Sequence, residues 1–532
     1  MLNPTRGTRG MAVAPHALAA QSALAVLREG GNALEGMVAA AATIAVVYPH
    51  MNSLGGDSFW LVHVPGRAPR GIDACGAAAQ AASRDWYADR GIKDRIPFRG
   101  GVAANTVAAT LSGWQLAFEG AKELGGKLPL SRLLEDAIHY AERGIPVTAS
   151  QNAATAAKRA ELEPQPGFAG TFLPAGDVPA TGSRFMQPRI GTTLRRLAAA
   201  GLDDFYRGEV ARANAADLAA AGSPLALGDL EAHRAQWRKP LVLEHSLAGI
   251  YNMPPPTQGL VSLLILGMLD RLEIGKLDPL GADYVHLAVE AVKQAFAIRD
   301  RHITDPAHMT IDPQGLLAPD RLRGLAARID RGRAAPWGAG KGPADTVWMG
   351  VIDGEGRAVS FIQSLYHEFG SGVVLNSSGI CWQNRGCSFS LDERGLNALA
   401  PGRKPFHTLN PALALLKDGR TMVYGNMGGD GQPQTQSAVF TRTLVYGMTP
   451  QAAISAPRWL LGRTWGQTTD TLKLEARFAP GVIDDLRRRG HDVEVLAAFD
   501  ETVGHAGCVI RHRDGAFEGG ADPRSDGSVA AF

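Results

Sequence analysis

The sequence predicts an α+β protein in which helices come first and strands come later. Two observations support this. Between residues 105 and 300 the apolar residues recur mostly at helical spacing, whereas after 345 they fall into short runs of strand length bounded by turn residues. A breaker-rich, polar stretch at 306–345 separates the two regimes and reads as an exposed, mobile segment. With 45% hydrophobic and 20% charged residues among 532, the chain has ample material for a packed core.

The elements follow in order. Residues 16–29 are rich in Ala and Leu and stop at Gly30-Gly31, a helix C-terminal signal. Asn32 can cap a second helix that runs to about residue 46 and is ended by Pro49. That helix is nearly all apolar, so it is expected to be buried all round. A turn at 52–57 leads into a strand at 59–64. Helices are expected at 111–124, 130–143, 192–199 and 282–299, with Pro- and Gly-rich sequence at 163–189 between them. After the joint, 347–352 and 358–363 form a hairpin around the turn Asp353-Gly354-Glu355-Gly356. Short strands are expected at 372–375, 412–417 and 421–424, then a helix at 432–446 and a strand–helix–strand unit within 471–511.

Composition excludes several classes of function. The 54 basic and 52 acidic residues leave a net charge of +2, which offers no basic field for nucleic acid or a membrane surface. The longest stretch free of charged residues, 245–269, is broken by Pro254-Pro255-Pro256, and its apolar part is too short to span a bilayer. The N-terminus shows no secretory apolar segment, so a cytoplasmic location is expected. Cys75, Cys381, Cys387 and Cys508 form no CxxC pair and no disulfide framework. No HExxH, zinc-spaced His/Cys set, GxSxG elbow or P-loop is present; Gly340-Lys341 is followed by Gly342. No metal or cofactor is expected.

What remains is a set of residues suited to acyl transfer. Thr346 sits where the breaker-rich segment meets the first hairpin strand. A threonine there can be an ordinary β-former. Alternatively, the Asp345–Thr346 bond is cut, and the new α-amine acts as base for the hydroxyl of the same residue. The run Gly425-Asn426-Met427-Gly428-Gly429-Asp430-Gly431-Gln432-Pro433-Gln434 follows a strand and precedes a helix. It is either a simple glycine turn or a place where backbone N–H groups converge as an oxyanion hole. A third cluster, Pro405-Phe406-His407-Thr408-Leu409-Asn410-Pro411, is a polar loop between prolines.

Taken together, these segments resemble the γ-glutamyltransferase family of N-terminal-nucleophile hydrolases. The likeness runs through Gly30-Gly31-Asn32-Ala33, Val46-Val47-Tyr48-Pro49-His50 with Gly55-Gly56, Pro254-Pro255-Pro256-Thr257-Gln258-Gly259, Thr346 onward, Phe369-Gly370-Ser371-Gly372, Gly428-Gly429 and Asp522-Pro523-Arg524-Ser525-Asp526-Gly527. It implies a four-layer αββα sandwich made as a precursor that cuts itself between Asp345 and Thr346. The large part is then 1–345, with its tail at 306–345, and the small part 346–532, the two forming one unit. The resemblance also implies that Thr346 is the nucleophile, that Ser364 is its hydroxyl partner, and that Gly428 and Gly429 form the oxyanion hole. His407 and Thr408 fall where the family places a serine pair near the substrate carboxylate. A homodimer of cut heterodimers fits the same family pattern.

The departures concern the substrate. The family's Thr-Thr-His is here Thr346-Val347-Trp348, and its Asp-Phe-Arg-Glu clamp is Asp73-Ala74-Cys75-Gly76. No carboxylate stands near Ser388, where the amino-group ligand is expected; Asn384 and Arg385 lie nearby, and Tyr366 replaces an asparagine. Loss of each charge-paired contact to a γ-glutamyl group is worth ~1.5–3 kcal/mol. A pocket with Tyr366, Asn384, Arg385, His407, Thr408 and Asp430 suits a small amide acid without an amino group. The likeness is greatest to the oxamate amidohydrolase branch. A glutathione hydrolase, a cephalosporin-type acylase and a non-catalytic member are the alternatives.

Overall fold

The computed structural model describes residues 3–338, 345–463 and 469–532. Two seven-stranded sheets lie at its centre. The front sheet runs in the order Ser528–Ala531, Gly10–Ala14, Asp345–Asp353, Ala358–Tyr366, Asp57–His63, Arg70–Ala74 and Gln236–Arg238. The back sheet runs Thr5–Gly7, Phe517–Ala521, Ala506–Arg511, Thr421–Asn426, Ala412–Leu416, Ala248–Asn252 and Leu241–Glu244. Neighbours are antiparallel throughout both sheets.

Three apolar layers hold this stack together. Met11, Val13, Phe59, Leu61, Trp348, Ile352, Leu413, Val423 and Val509 fill the space between the sheets. On the outer side of the front sheet lies Ala33–Val47, every residue of which is buried. Its start is fixed by a capping box. Asn32 Oδ1 accepts from the Leu34 and Glu35 N–H groups, and Glu35 Oε2 accepts from the Asn32 N–H at 2.8 Å. On the outer side of the back sheet lie Gly259–Leu269, Ala282–His302 and Gly431–Leu444. The result is the αββα sandwich. Because both faces of the front sheet are covered, its central strands are apolar at nearly every position rather than alternating.

The hairpin around 353–356 forms as expected, with Val351 opposite Val359 and Met349 opposite Phe361. Strands from either side of the 345/346 junction interleave in both sheets. The strand–helix–strand unit is present as Leu472–Glu475, Pro480–Arg488 and Val493–Leu496, in a small separate sheet with Trp459–Leu461. Two expectations change. Residues 372–375 form no strand, only a single bridge between Val374 and Cys381. The described part of the joint, 306–338, is more built than its composition suggests. It contains the helix Pro319–Ala326, and Leu316, Leu317, Leu322, Ala326 and Ile329 are buried in the rear core. Its larger apolar residues gather on the rear core, with Met309, Ile311, Leu325 and Trp337 packed against it as well, which a composition average does not register. The end of the joint, 339–344, lies outside the described residues. Among the described residues no helix is long and apolar enough to cross a membrane.

Candidate active site

Thr346 is fully buried near the start of Asp345–Asp353, an inner strand of the front sheet. A register shift lies beside it: Asp345 pairs with Tyr366 and Val347 with Gln363, so Thr346 faces both Ser364 and Leu365. Ser364 is buried, and its Oγ accepts from the Tyr366 N–H at 2.8 Å. The Gln432 amide reaches Thr346 Oγ1 from the other side, at 3.4 Å.

Gln432 is the second residue of the helix Gly431–Leu444, and the glycine loop leads directly into it. Gly428 has φ of 110° and Gly429 φ of 48°, conformations that side chains disfavour. Their carbonyls accept from the Gly431 and Gln432 N–H groups. Within a trans peptide the N–H points opposite to the carbonyl, so the bond made by the Gly428 carbonyl turns the Gly429 N–H away from the helix, and the helix N-terminus adds positive potential beside it. The loop is braced from below. Arg458 donates to the Gly504 carbonyl and to Asn426 Oδ1, and it pairs with Asp522 at 2.6 Å. The Asp522-Pro523-Arg524 motif therefore supports the strand end that carries the glycines.

The third element is Arg385, which is fully buried at the start of the short turn Arg385–Ser388. Its guanidinium lies 4.0 Å over the Tyr366 ring. Nη1 reaches Thr408 Oγ1 at 3.5 Å, and Nε and Nη2 have no hydrogen-bond partner among the described residues. A buried cation with open donors suits an anionic ligand. No salt bridge joins Arg385 to a neighbouring acid among the described residues; the nearby carboxylate is Asp57, which acts on it through space.

The structure brings the expected residues together unequally. Asn384 flanks Arg385, but its amide is engaged with the His367 N–H and the Phe98 carbonyl. Asp430 is paired with Arg299 at 2.7 Å, so it supports the glycine loop rather than presenting a free charge. His407 is turned toward Cys75 and Asp57, with Nε2 3.0 Å from the thiol and 3.3 Å from Asp57 Oδ2. Burial, and after it Arg385, pushes His407 well below the ordinary imidazole range, so this contact joins a neutral ring to the carboxyl. Burial also pushes the Asp57 carboxyl up to about 6, against the pull of Arg385, the Gly76 N–H and Gln383.

Asp57, Cys75 and His407 place their donor atoms within 4.8 Å of one another, a set that zinc accepts. Arg385 and Lys404 add positive potential at this cluster and oppose a dication. In a second cluster, His286, Glu290 and His491, Glu290 is already paired with Lys293 at 2.6 Å.

Comparison with known proteins places this geometry. The γ-glutamyltranspeptidase family model matches residues 19–532. The chain is 61% identical to an oxamate amidohydrolase proenzyme of Klebsiella pneumoniae over 99% of each chain. It is 40% identical to a glutathione hydrolase-like proenzyme of Bacillus subtilis, again over 99% of each. A cephalosporin acylase structure from Bacillus halodurans superposes with a TM-score of 0.89 at 32% identity, covering 100% of this chain and 97% of that one. The chain belongs to the γ-glutamyltranspeptidase family. It is a hydrolase of the N-terminal-nucleophile type.

Several contacts around Thr346 and the glycine loop were not legible in the sequence. Gln432 and Gln258 are separated from Thr346 by 86 and 88 residues; each lies in a stretch the sequence singles out, but nothing local tells which way its side chain turns. Asp57 was visible only as the residue after Gly55-Gly56. It reaches the site because Asp57–His63 pairs with Ala358–Tyr366, which places Asp57 opposite Ser364.

Proposed function

We propose that this chain is a self-processing amidohydrolase in which cleavage between Asp345 and Thr346 frees the Thr346 amine. The amine takes the Thr346 hydroxyl proton as Oγ1 attacks the amide carbonyl of the substrate. The Gly428 and Gly429 N–H groups hold the resulting oxyanion, and Ser364 and Gln432 orient the hydroxyl. The C–N bond breaks, the proton passes to the leaving nitrogen and ammonia departs. Water then attacks the acyl-threonine ester, with the same amine as base, and releases the carboxylic acid.

The substrate class is a small amide acid such as oxamate, whose carboxylate pairs with Arg385. The observation that carries this reading is the buried Arg385 guanidinium with Nε and Nη2 open. The name of the Klebsiella relative agrees with it. Chain mass and ammonia release test it together. Wild type should separate into residues 1–345 and 346–532 and release ammonia from oxamate. Thr346→Ala should stay uncut and inactive. An uncut but fully active enzyme rejects the nucleophile assignment, and faster turnover of γ-glutamyl anilide than of oxamate rejects the substrate.

A further inference from the structure

We propose that Gln258 is a positioning residue that sets the distance between the acyl-transfer end and the anion-binding end of the site, and with it the substrate length accepted. The inference rests on the assignment of Gly429 to the oxyanion hole and of Arg385 to the substrate carboxylate.

Gln258 ends the proline-rich turn that precedes the helix Gly259–Leu269 and is fully buried. Its Nε2 donates to two carbonyls, Thr408 at 2.8 Å and Gly429 at 2.9 Å. Thr408 carries the hydroxyl that touches Arg385. Gly429 belongs to the glycine loop. One NH₂ group therefore ties together the two loops that would grip opposite ends of the substrate. Its Oε1 accepts from Arg299 Nη1 at 3.2 Å, and the same nitrogen of Arg299 holds Asp430, the residue after Gly429. The Gln258 N–H donates to the His407 carbonyl at 2.9 Å, beside the Thr257–His407 bridge.

Both side-chain donors of the amide and its acceptor are thus engaged, and every partner lies in one of the two loops or in the arginine that anchors one of them. The glycine loop needs such a tie. With φ of 110° and 48° at successive glycines, its peptides have little intrinsic preference for one orientation. A glutamate in the same place keeps the size but sets a second oxygen against two carbonyls, so the spacing relaxes. An asparagine is one methylene shorter and cannot hold both carbonyls at the observed distances.

The test measures kcat and KM of the full-length enzyme for oxamate and for the amide acids one and two methylenes longer, in wild type, Gln258→Glu and Gln258→Asn. Cutting at 345/346 is scored in each preparation, and rates are expressed per cut chain. One methylene is worth ~10–200-fold in a fitted site, so the wild-type preference for oxamate over the longer acids should shrink about tenfold or more in Gln258→Glu. Gln258→Asn should fall between the two. A purely structural role would lower the amount of competent enzyme and leave this ratio unchanged. An unchanged ratio overturns the proposal. So does a Gln258→Glu chain that fails to fold, because the amide would then hold the fold rather than the spacing. Should wild type prefer γ-glutamyl anilide, the substrate reading fails on its own. The same ratio is then measured on γ-glutamyl and β-aspartyl anilides, and the same two outcomes decide the role of Gln258.

Discussion

The guanidinium of Arg385 lies 4.0 Å over the ring of Tyr366, and Tyr366 itself takes φ of 86°. A tyrosine holds a left-handed backbone only where its surroundings over-determine it, at a cost of about 1–3 kcal/mol. Here the constraint comes from Ser364 Oγ, which accepts from the Tyr366 N–H. The strand that ends at Thr346's neighbours therefore also delivers the platform for the cation. The position of Thr346 and the position of Arg385 are thus linked through three residues, 364–366.

Arg385→Gln should raise KM for oxamate by about 10–150-fold, the equivalent of the ~1.5–3 kcal/mol of a charged hydrogen bond. Cleavage at 345/346 should persist, because it involves no external anion. Arg385→Lys should recover only part of the affinity, since the planar fork is lost. Steady-state kinetics on cut enzyme check this, and an unchanged KM in Arg385→Gln removes Arg385 from the substrate.

Gly429→Val should lower kcat for oxamate by about 10²–10³-fold, the usual effect of losing one oxyanion donor. Valine at φ of 48° is strained, so the loop N–H groups must move. Turnover at the wild-type rate in a folded, cut Gly429→Val enzyme would take the loop out of the site.

The pH dependence follows from Asp57. Its folded pKa of about 6 lies above the ordinary carboxylate value, mainly through burial. Above that pH it is ionised, and its negative charge near Arg385 opposes a substrate carboxylate. As pH falls through 6 the charge is lost, so KM for oxamate should fall as pH is lowered from 7.5 toward 5.5. The other groups around it are the Gly76 and Ala109 N–H groups, Gln383, the neutral His407, His233, which burial pushes down to about 4, the Cys75 thiol and Arg385. Asp57→Asn can still accept the three N–H bonds and should flatten the profile at a low KM. A KM that changes equally in both enzymes would exclude Asp57 as the titrating group.

Asp522→Ala should destabilise the protein strongly. Asp522 is fully buried and accepts from Arg458 at 2.6 Å, the Ala506 N–H at 2.7 Å and Arg524 at 3.0 Å. Removing it leaves a buried arginine without its countercharge, worth about 3–5 kcal/mol. Because Arg458 also holds Asn426 and Gly504, kcat should fall along with the denaturation midpoint. Chemical denaturation monitored beside activity checks both.

The sequence by itself determined the elements whose signals are local. The apolar run of Ala33–Val47 with Asn32 before it specifies a buried, capped helix, because cap and periodicity lie within a few residues of each other. The hairpin from Asp345–Asp353 to Ala358–Tyr366 was legible from its turn, and the glycine pair 428–429 from its place between a strand and a helix. Only the tertiary structure decided which way the polar groups face. Asn384 and Asp430 lie beside the site by sequence, yet backbone groups and Arg299 engage them. His407 turns to Cys75 and Asp57, 332 and 350 residues away, because the two sheets pack face to face. Gln258 joins loops that lie 150 and 171 residues further along the chain. Local signals set backbone conformation; the direction of a buried polar side chain depends on the partners available in three dimensions. Pairing satisfies most such groups, while Arg385 keeps Nε and Nη2 open.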